Sequence, residues 1–163
     1  MNALDRVRWL FATACGLGTA KVAPGTFGTL GGVVIACVLQ VFVPGQRFAL
    51  AVLLVGLGLF ALGCSFTGFC KRVFAGDDPQ QFVLDEVVGY LLAIALFASV
   101  RRDPTPLDYT VAFVLFRAFD IAKPQPARRL EEVPGACGIM LDDVIAGLYA
   151  GLGLWLLAVV GVL

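Results

Sequence analysis

The stretch FALAVLLVGLGLFALGCSFTGFC, at residues 48–70, contains no charged side chain. Two further charge-free runs occupy residues 22–46 and residues 144–163. A membrane-spanning helix needs about 20 predominantly apolar residues, and each of these runs is long enough to supply one. We therefore predict three spanning helices at these positions.

The composition of the whole chain also fits a membrane protein. Of its 163 residues, 60% are hydrophobic and 15% are charged. In soluble domains about half of the residues are apolar and about a quarter are charged. The mean hydropathy is +0.91. The length allows a single domain over residues 1–163. The formal net charge of zero gives no indication of a nucleic-acid partner.

Two other apolar stretches carry charges near one end. Residues 82–100 begin close to two adjacent acids, and residues 106–122 end close to an arginine and an aspartate. If all five segments cross the membrane, most basic residues fall on the inner side, as the positive-inside rule requires. A re-entrant hairpin at residues 106–122 is the alternative. We predict an all-α polytopic membrane domain with four to five membrane-embedded helices and a short N-terminal helix at the interface.

The chain has no histidine. This excludes Ser-His-Asp hydrolysis and the histidine phosphatases. The five cysteines lack CxxC spacing and are odd in number, so we predict neither a zinc cluster nor a disulfide framework. We interpret them as small buried residues.

The first polar motif, GDDPQQFVLDEVVG at residues 76–89, places acids at the start of a helix. A charge at membrane depth costs at least about 2.5 kcal/mol, so an apolar chain that retains several of them is expected to use them. Asp85 and Glu86 are adjacent and repel one another unless a cation lies between them. Helix capping with snorkelling is the alternative, and for Asp77 alone it is the preferred one.

A second acid pair follows a glycine-rich loop in GACGIMLDDVIAG, at residues 135–147. We expect Asp142 and Asp143 to open the last spanning helix on the same membrane face as the first pair. Carboxylates without histidine or cysteine favour Mg2+ over zinc. Together, the two acid pairs predict a metal site with oxygen ligands.

The third motif, FRAFDIAKPQPARRL at residues 116–130, supplies cations. Arg117 and Asp120 are three apart and share a helix face, and Lys123 stands where the following proline ends the helix. An anionic ligand is the favoured explanation for Arg117 and Lys123, and an internal Arg-Asp pair is the alternative. For Arg128 a juxtamembrane anchor is at least as good an explanation as ligand binding.

This inventory of carboxylates and cations suits metal-assisted attack of water on a phosphate ester. Cations bind the phosphoryl group, Mg2+ polarises it and an acid assists proton transfer. Two alternatives from other classes stay open. A cation carrier or channel subunit would also retain acids in the membrane, and a non-enzymatic assembly subunit would use glycine faces for packing.

Four motifs, in this order, resemble the phosphatidylglycerophosphatase A family of bacteria: GLGTAKVAPGTFGTL, DDPQQFVLDEVVG, FRAFDIAKPQPAR and GIMLDDVIAG. The resemblance extends over residues 16–151. It implies a Mg2+-dependent membrane phosphatase that converts phosphatidylglycerophosphate to phosphatidylglycerol and inorganic phosphate. It also implies a site facing the cytoplasm in the bacterial inner membrane. One departure is Asp77-Asp78-Pro79, where a histidine often accompanies the aspartate in the family.

The residues and the resemblance together assign three groups of site residues. The predicted metal ligands are Asp78, Asp85, Glu86, Asp142 and Asp143. The predicted catalytic residues are Arg117 and Lys123, which hold the phosphate, and Asp120, which serves as the base for the attacking water or orients Arg117. The predicted substrate-binding residues are Lys21, Thr26 and Arg128. Glycines four residues apart, at 28 and 32 and at 147 and 151, let helices approach closely and would allow a homodimer.

Overall fold

Apolar runs, and the Pro, Gly and charged residues between them, determine the helices of this protein. A computed structural model describes residues 1–74, 79–101, 103–130 and 133–163, and all regular structure in these residues is helical. The α-helices, numbered in chain order, are α1 (Ala3–Ala12), α2 (Pro24–Phe42), α3 (Phe48–Cys64), α4 (Thr67–Val73), α5 (Leu84–Ala98), α6 (Pro106–Ala122), α7 (Ala127–Leu130) and α8 (Ala136–Val159).

Helix α5 forms the centre of the domain. All but two of its 15 residues are buried, because α2, α3, α6 and α8 pack around it. Its Tyr90 ring stands edge-on to Phe116 of α6, and the Tyr90 hydroxyl donates to the Tyr109 carbonyl at 3.1 Å. Apart from the two acids of its first turn, α5 is apolar all round, as expected for a helix in such a central position.

Three helical segments are long and apolar enough to cross a membrane: Pro24–Phe42, Gly45–Cys64 and Ala136–Val159. They confirm the helices predicted from the three charge-free runs. Helices α5 and α6 also form where they were predicted, but they have 15 and 17 residues, short of the about 20 that a span needs. The all-helical class is confirmed for the described residues, and the number of four to five membrane-embedded helices stays a prediction.

Two helix boundaries differ from the prediction. The run at residues 48–70 is interrupted after Cys64, and the short helix α4 follows. Helix α8 begins at Ala136, so Asp142 and Asp143 lie about two turns inside the helix and do not open it. A contact with another helix stabilises this early start, because the Thr67 hydroxyl of α4 accepts a hydrogen bond of 3.0 Å from the Ala136 N–H.

The glycines with four-residue spacing make close helix contacts, as predicted, but they make them within one chain. Gly28 and Gly32 lie against the start and first turns of α5. A Cβ added at Gly147 would collide with the Gly89 carbonyl oxygen, and one added at Gly151 would lie 3.1 Å from a carbonyl oxygen of α5. These stripes are buried inside the domain and therefore give no support to the predicted homodimer.

The interpretation of the cysteines as small buried residues was wrong for all but one of them. Cys64, at the end of α3, and Cys137, at the start of α8, form a disulfide across 73 positions of sequence. Cys15 and Cys37 are exposed, and Cys70 is buried. Spacing along the chain could not reveal the bridge, because only the packing of α3 beside α8 brings the two thiols together.

Candidate active site

A cavity of about 460 Å³ is lined by most of the charged residues that the sequence predicts as functional. It lies at the end of the domain where α2, α5 and α8 begin and α6 ends. The predicted residues that line it are Lys21, Asp85, Glu86, Arg117, Asp120, Lys123, Asp142 and Asp143. Residues that are far apart in sequence therefore converge on one concave, polar surface.

Three acids form the most compact part of this cavity. Asp85, Glu86 and Asp143 each offer a carboxylate oxygen, and these oxygens all lie within 4.8 Å of one another. The approach of α5 to α8 causes this proximity. Gly89 and Gly147 stand one turn beyond Asp85 and Asp143, and the two helix backbones touch at these glycines. Asp85 and Asp143 are buried and Glu86 is half-buried, and three acids this close repel one another strongly unless a cation offsets their charge.

One oxygen of this acid group has no partner in the part of the chain that the structure describes. Glu86 Oε2 is buried and has no hydrogen bond to any of the described residues. Buried polar atoms are nearly always hydrogen-bonded, and an unsatisfied one costs about 1–3 kcal/mol. Mg2+ prefers carboxylate oxygens, so the acid group has the donor set and the unsatisfied oxygen that suit this ion.

Arg117 faces the acid group from α6. Its Nη1 atom lies 3.7 Å from Glu86 Oε1 and also pairs with Asp120 Oδ2 one turn further along the same helix. The Arg117 side chain is 17% exposed, and its buried Nε has no acceptor in the described part of the chain. A guanidinium with an unused donor beside a cavity is suited to bind a phosphate oxygen.

Lys123 approaches the same cavity from the end of α6. It adopts the left-handed conformation, with φ of 44°, directly before Pro124, and its Nζ lies 2.8 Å from Asp142 Oδ2. The second Asp142 oxygen accepts the Asp143 N–H at 3.0 Å. Asp142 therefore faces a cation and stands apart from the three-acid group, and its role as a metal ligand stays a prediction.

The remaining predicted residues lie elsewhere. Thr26 is half-buried on α2 and is not part of the cavity wall, and Arg128 is exposed on α7 and also lies outside the wall. The position of Arg128 is typical of the anchor alternative. The prediction for Asp78 falls outside the described residues.

Sequence reasoning missed one residue that the geometry makes important. Gly25 lies in the first turn of α2, and a Cβ there would collide with Glu86 Oε1 and lie 2.8 Å from Arg117 Nη1. Only a residue without a side chain lets α2 come this close to the Glu86–Arg117 pair. The Pro24-Gly25 dipeptide at the helix start was a visible signal, but its partners are about 60 and 90 residues away in sequence.

Comparison with known proteins identifies similar chains. Residues 10–158 match the family model described as phosphatidylglycerophosphatase A. A putative phosphatidylinositol-3-phosphatase of Bacteroides thetaiotaomicron is 36% identical over 146 residues, 86% of this chain and 87% of the relative. The phosphatidylglycerophosphatase A of Haemophilus influenzae is 34% identical over 145 residues, 86% of this chain and 82% of the relative. That of Escherichia coli is 34% identical over 140 residues, 85% and 76% of the two chains. No solved structure matches this chain.

Proposed function

Because this chain belongs to the phosphatidylglycerophosphatase A family, a family of phosphate-monoester hydrolases, we propose that it is a Mg2+-dependent membrane phosphatase. Its substrate is phosphatidylglycerophosphate, and its products are phosphatidylglycerol and inorganic phosphate. The observation that carries the proposal is the joint placement of the three-acid group and the Arg117 guanidinium on the wall of one cavity.

The acid group is the proposed metal site. Asp85, Glu86 and Asp143 would hold Mg2+, and Asp78 and Asp142 are proposed as further ligands. When bound, the ion supplies positive charge that polarises the phosphoryl group.

The cations of the cavity are proposed to bind the phosphate. Arg117 presents a planar fork of donors, which matches two oxygens of a phosphoryl group. Lys123, at 30% exposure, lies nearer to solvent and attracts the dianion as a point charge. Lys21 lines the cavity from the segment before α2 and is proposed to contact the headgroup.

Asp120 is proposed to handle the proton of the attacking water. Its carboxylate is 14% exposed and is already paired with Arg117, so it either accepts that proton or holds Arg117 in place. The water attacks phosphorus directly in this proposal, the bond between phosphorus and the glycerol oxygen breaks, and that oxygen leaves with a proton as the hydroxyl of phosphatidylglycerol. A phosphate group trapped on an aspartate in a rapid-quench experiment would contradict the direct attack.

The membrane placement is also part of the proposal. Three segments are long and apolar enough to cross a bilayer, and the cavity lies where two of them begin. Lys71 and Arg72 at the end of α4 and Arg128 on α7 are on this side of the domain, which favours a cytoplasm-facing site in the bacterial inner membrane.

A carrier function receives less support from the placement of the acids. Carrier acids are expected near mid-membrane, along a path between the two faces. The acids of the cavity lie together at one end of the domain. Asp108, a buried acid at the opposite end, is accounted for locally, because it caps α6 in a capping box with Thr105 and lies 3.4 Å from Arg101.

One relative favours a second candidate substrate. The protein named a putative phosphatidylinositol-3-phosphatase is 36% identical, and its substrate is also a lipid phosphate monoester. Phosphatidylinositol 3-phosphate is therefore the competing substrate for the same cavity.

The experiment that tests the proposal measures phosphate release by the purified protein in detergent, with Mg2+ and with EDTA. The substrates are phosphatidylglycerophosphate and phosphatidylinositol 3-phosphate at equal surface concentration. We expect Mg2+-dependent release with a higher kcat/KM for phosphatidylglycerophosphate. Release that is equal in EDTA would contradict the metal requirement, and a preference for the inositol lipid would replace the proposed substrate.

A further inference from the structure

A second cavity, of about 590 Å³, lies between α2 and α6. Its wall is almost entirely apolar and includes Leu30, Val33 and Cys37 of α2 and Phe113 of α6. We call it the α2–α6 groove.

The groove and the active-site cavity lie along the same two helices, with no lining residue in common. On α6, Phe113 and Arg117 are four residues apart and share a helix face. Phe113 lines the groove and Arg117 lines the active site. On α2, Thr26 lies one turn before Leu30 on the same face, directly after the active-site residue Gly25. A molecule bound with its phosphate near Arg117 could therefore extend along these two helices without crossing a helix.

The dimensions of the groove fit one hydrocarbon chain. From Leu30 to Val41 α2 rises about 16 Å at 1.5 Å per residue. An acyl chain that fills one leaflet has a similar length, since each leaflet contributes about 15 Å to the hydrocarbon core. Leu30 lies about 9 Å along the axis from Pro24, which leaves room for a glycerol and an ester group. The far end carries polar groups, because the Tyr109 hydroxyl donates to Gln40 Oε1 at 2.7 Å.

We propose that the α2–α6 groove binds an acyl chain of the lipid phosphate while the phosphate occupies the active-site cavity. Thr26, on α2 between the active-site residue Gly25 and the groove residue Leu30, contacts the glycerol and ester part of the lipid in this proposal. The proposal rests on the proposed function, since it needs a substrate with a phosphate at one end and a long apolar chain at the other. It assigns to this groove the part of the affinity that depends on chain length.

Two neighbouring residues of α2 provide a matched test. Cys37 and Val38 are both exposed, but only Cys37 lines the groove. Cys37→Trp places an indole in the groove, and Val38→Trp places one on the adjacent helix surface. Each variant is assayed with dioleoyl and with dihexanoyl phosphatidylglycerophosphate, whose six-carbon chains are too short to fill the groove.

We expect Cys37→Trp to raise KM for the dioleoyl lipid at least about fivefold, because the chain loses apolar contact area, and to leave kcat/KM for the dihexanoyl lipid within about twofold. Val38→Trp should change neither. An equal loss on both lipids, or no loss on either, would overturn the proposal. A change in molecular mass by light scattering that Cys37→Trp alone produces would identify the groove as a protein interface, and would also overturn it.

A second readout does not depend on catalysis. Phosphatidylglycerol with a photoreactive diazirine in one acyl chain is irradiated with the protein, and the labelled peptides are mapped by mass spectrometry. We expect labelling at residues 30–41 and 109–113 that Cys37→Trp reduces and Val38→Trp retains. Labelling that is equal in both variants would refute the groove. Absence of activity in the wild type, with labelling as expected, would refute the proposed function alone.

Discussion

Replacing Gly25 with alanine tests how tightly α2 is fitted against the active site. The new methyl group would collide with Glu86 Oε1 and lie 2.8 Å from Arg117 Nη1 and 3.1 Å from Nη2. Gly25 has an ordinary helical conformation, so an alanine there meets no backbone strain. The whole effect therefore comes from the displacement of Glu86 and Arg117.

The structure sets the expected size of this effect. Adding a methylene to a filled site costs about 1–3 kcal/mol, which would lower the midpoint of thermal unfolding by several degrees. A displacement of about 1 Å in a catalytic group can reduce the rate about 100-fold. We therefore expect Gly25→Ala to fold and to lose about 100-fold in kcat at saturating Mg2+, measured as release of inorganic phosphate.

Gly58→Ala is the matched control. Gly58 is also a helical glycine, in α3, but an added Cβ would meet no atom of the described residues within 4 Å. Alanine is favoured over glycine in helices by about 1 kcal/mol, so this variant should keep its activity and be no less stable. Gly25→Ala with a kcat within about twofold of the wild type would refute the placement of Gly25 against the Glu86–Arg117 pair.

Three further substitutions have defined outcomes. Arg117→Lys keeps the charge and loses the planar fork, so kcat/KM for phosphatidylglycerophosphate should fall about 10- to 100-fold. The same change at Arg101, at the other end of the domain, should have little effect. Asp120→Asn should reduce kcat by about 100-fold or more if the carboxylate accepts the water proton. If Asp120 only orients Arg117, the double variant Arg117→Lys/Asp120→Asn will have a kcat no lower than that of the more impaired single variant. Cys64→Ser removes the disulfide to α8. This should lower the thermal midpoint of the oxidised protein and make that midpoint insensitive to dithiothreitol. A midpoint equal to that of the oxidised wild type would contradict a stabilising disulfide.

Much of the fold could be predicted because local signals agree. The α6 helix was predicted at residues 106–122 from its apolar run and from the proline that follows its last residues, and the structure shows that Pro106 occupies the first turn. The charge-free runs likewise produced α2, α3 and most of α8. The start of α8 could not be predicted, because it depends on a hydrogen bond from Ala136 to Thr67, a residue of another helix.

The residue types of the site could be predicted from the sequence, but the arrangement of their side chains could not. Asp142 and Asp143 are neighbours in sequence, but successive residues on a helix point about 100° apart. Asp143 therefore joins Asp85 and Glu86, while Asp142 faces Lys123. The sequence gives no basis for assigning different roles to the two acids, because only the packing of α5 against α8 distinguishes them. The contact of Gly25 with the Glu86–Arg117 pair was hidden for a similar reason, because it depends on the packing of α2 against α5 and α6.

The most direct test of the account compares Asp143→Asn with Asp103→Asn. Asp143 belongs to the three-acid group, whereas Asp103 is an exposed aspartate whose carboxylate accepts the Gly45 N–H at 3.1 Å. Each purified variant is assayed for Mg2+-dependent phosphate release, and its thermal midpoint is measured with and without Mg2+. A ligand that binds only the folded protein raises this midpoint.

We expect Asp103→Asn to retain both the Mg2+-dependent release and the rise of the midpoint. Asp143→Asn should remain folded, lose Mg2+-dependent release by at least about 100-fold and lose the rise. Release by Asp143→Asn within about tenfold of the wild type, with the rise intact, would contradict a metal site at Asp85, Glu86 and Asp143.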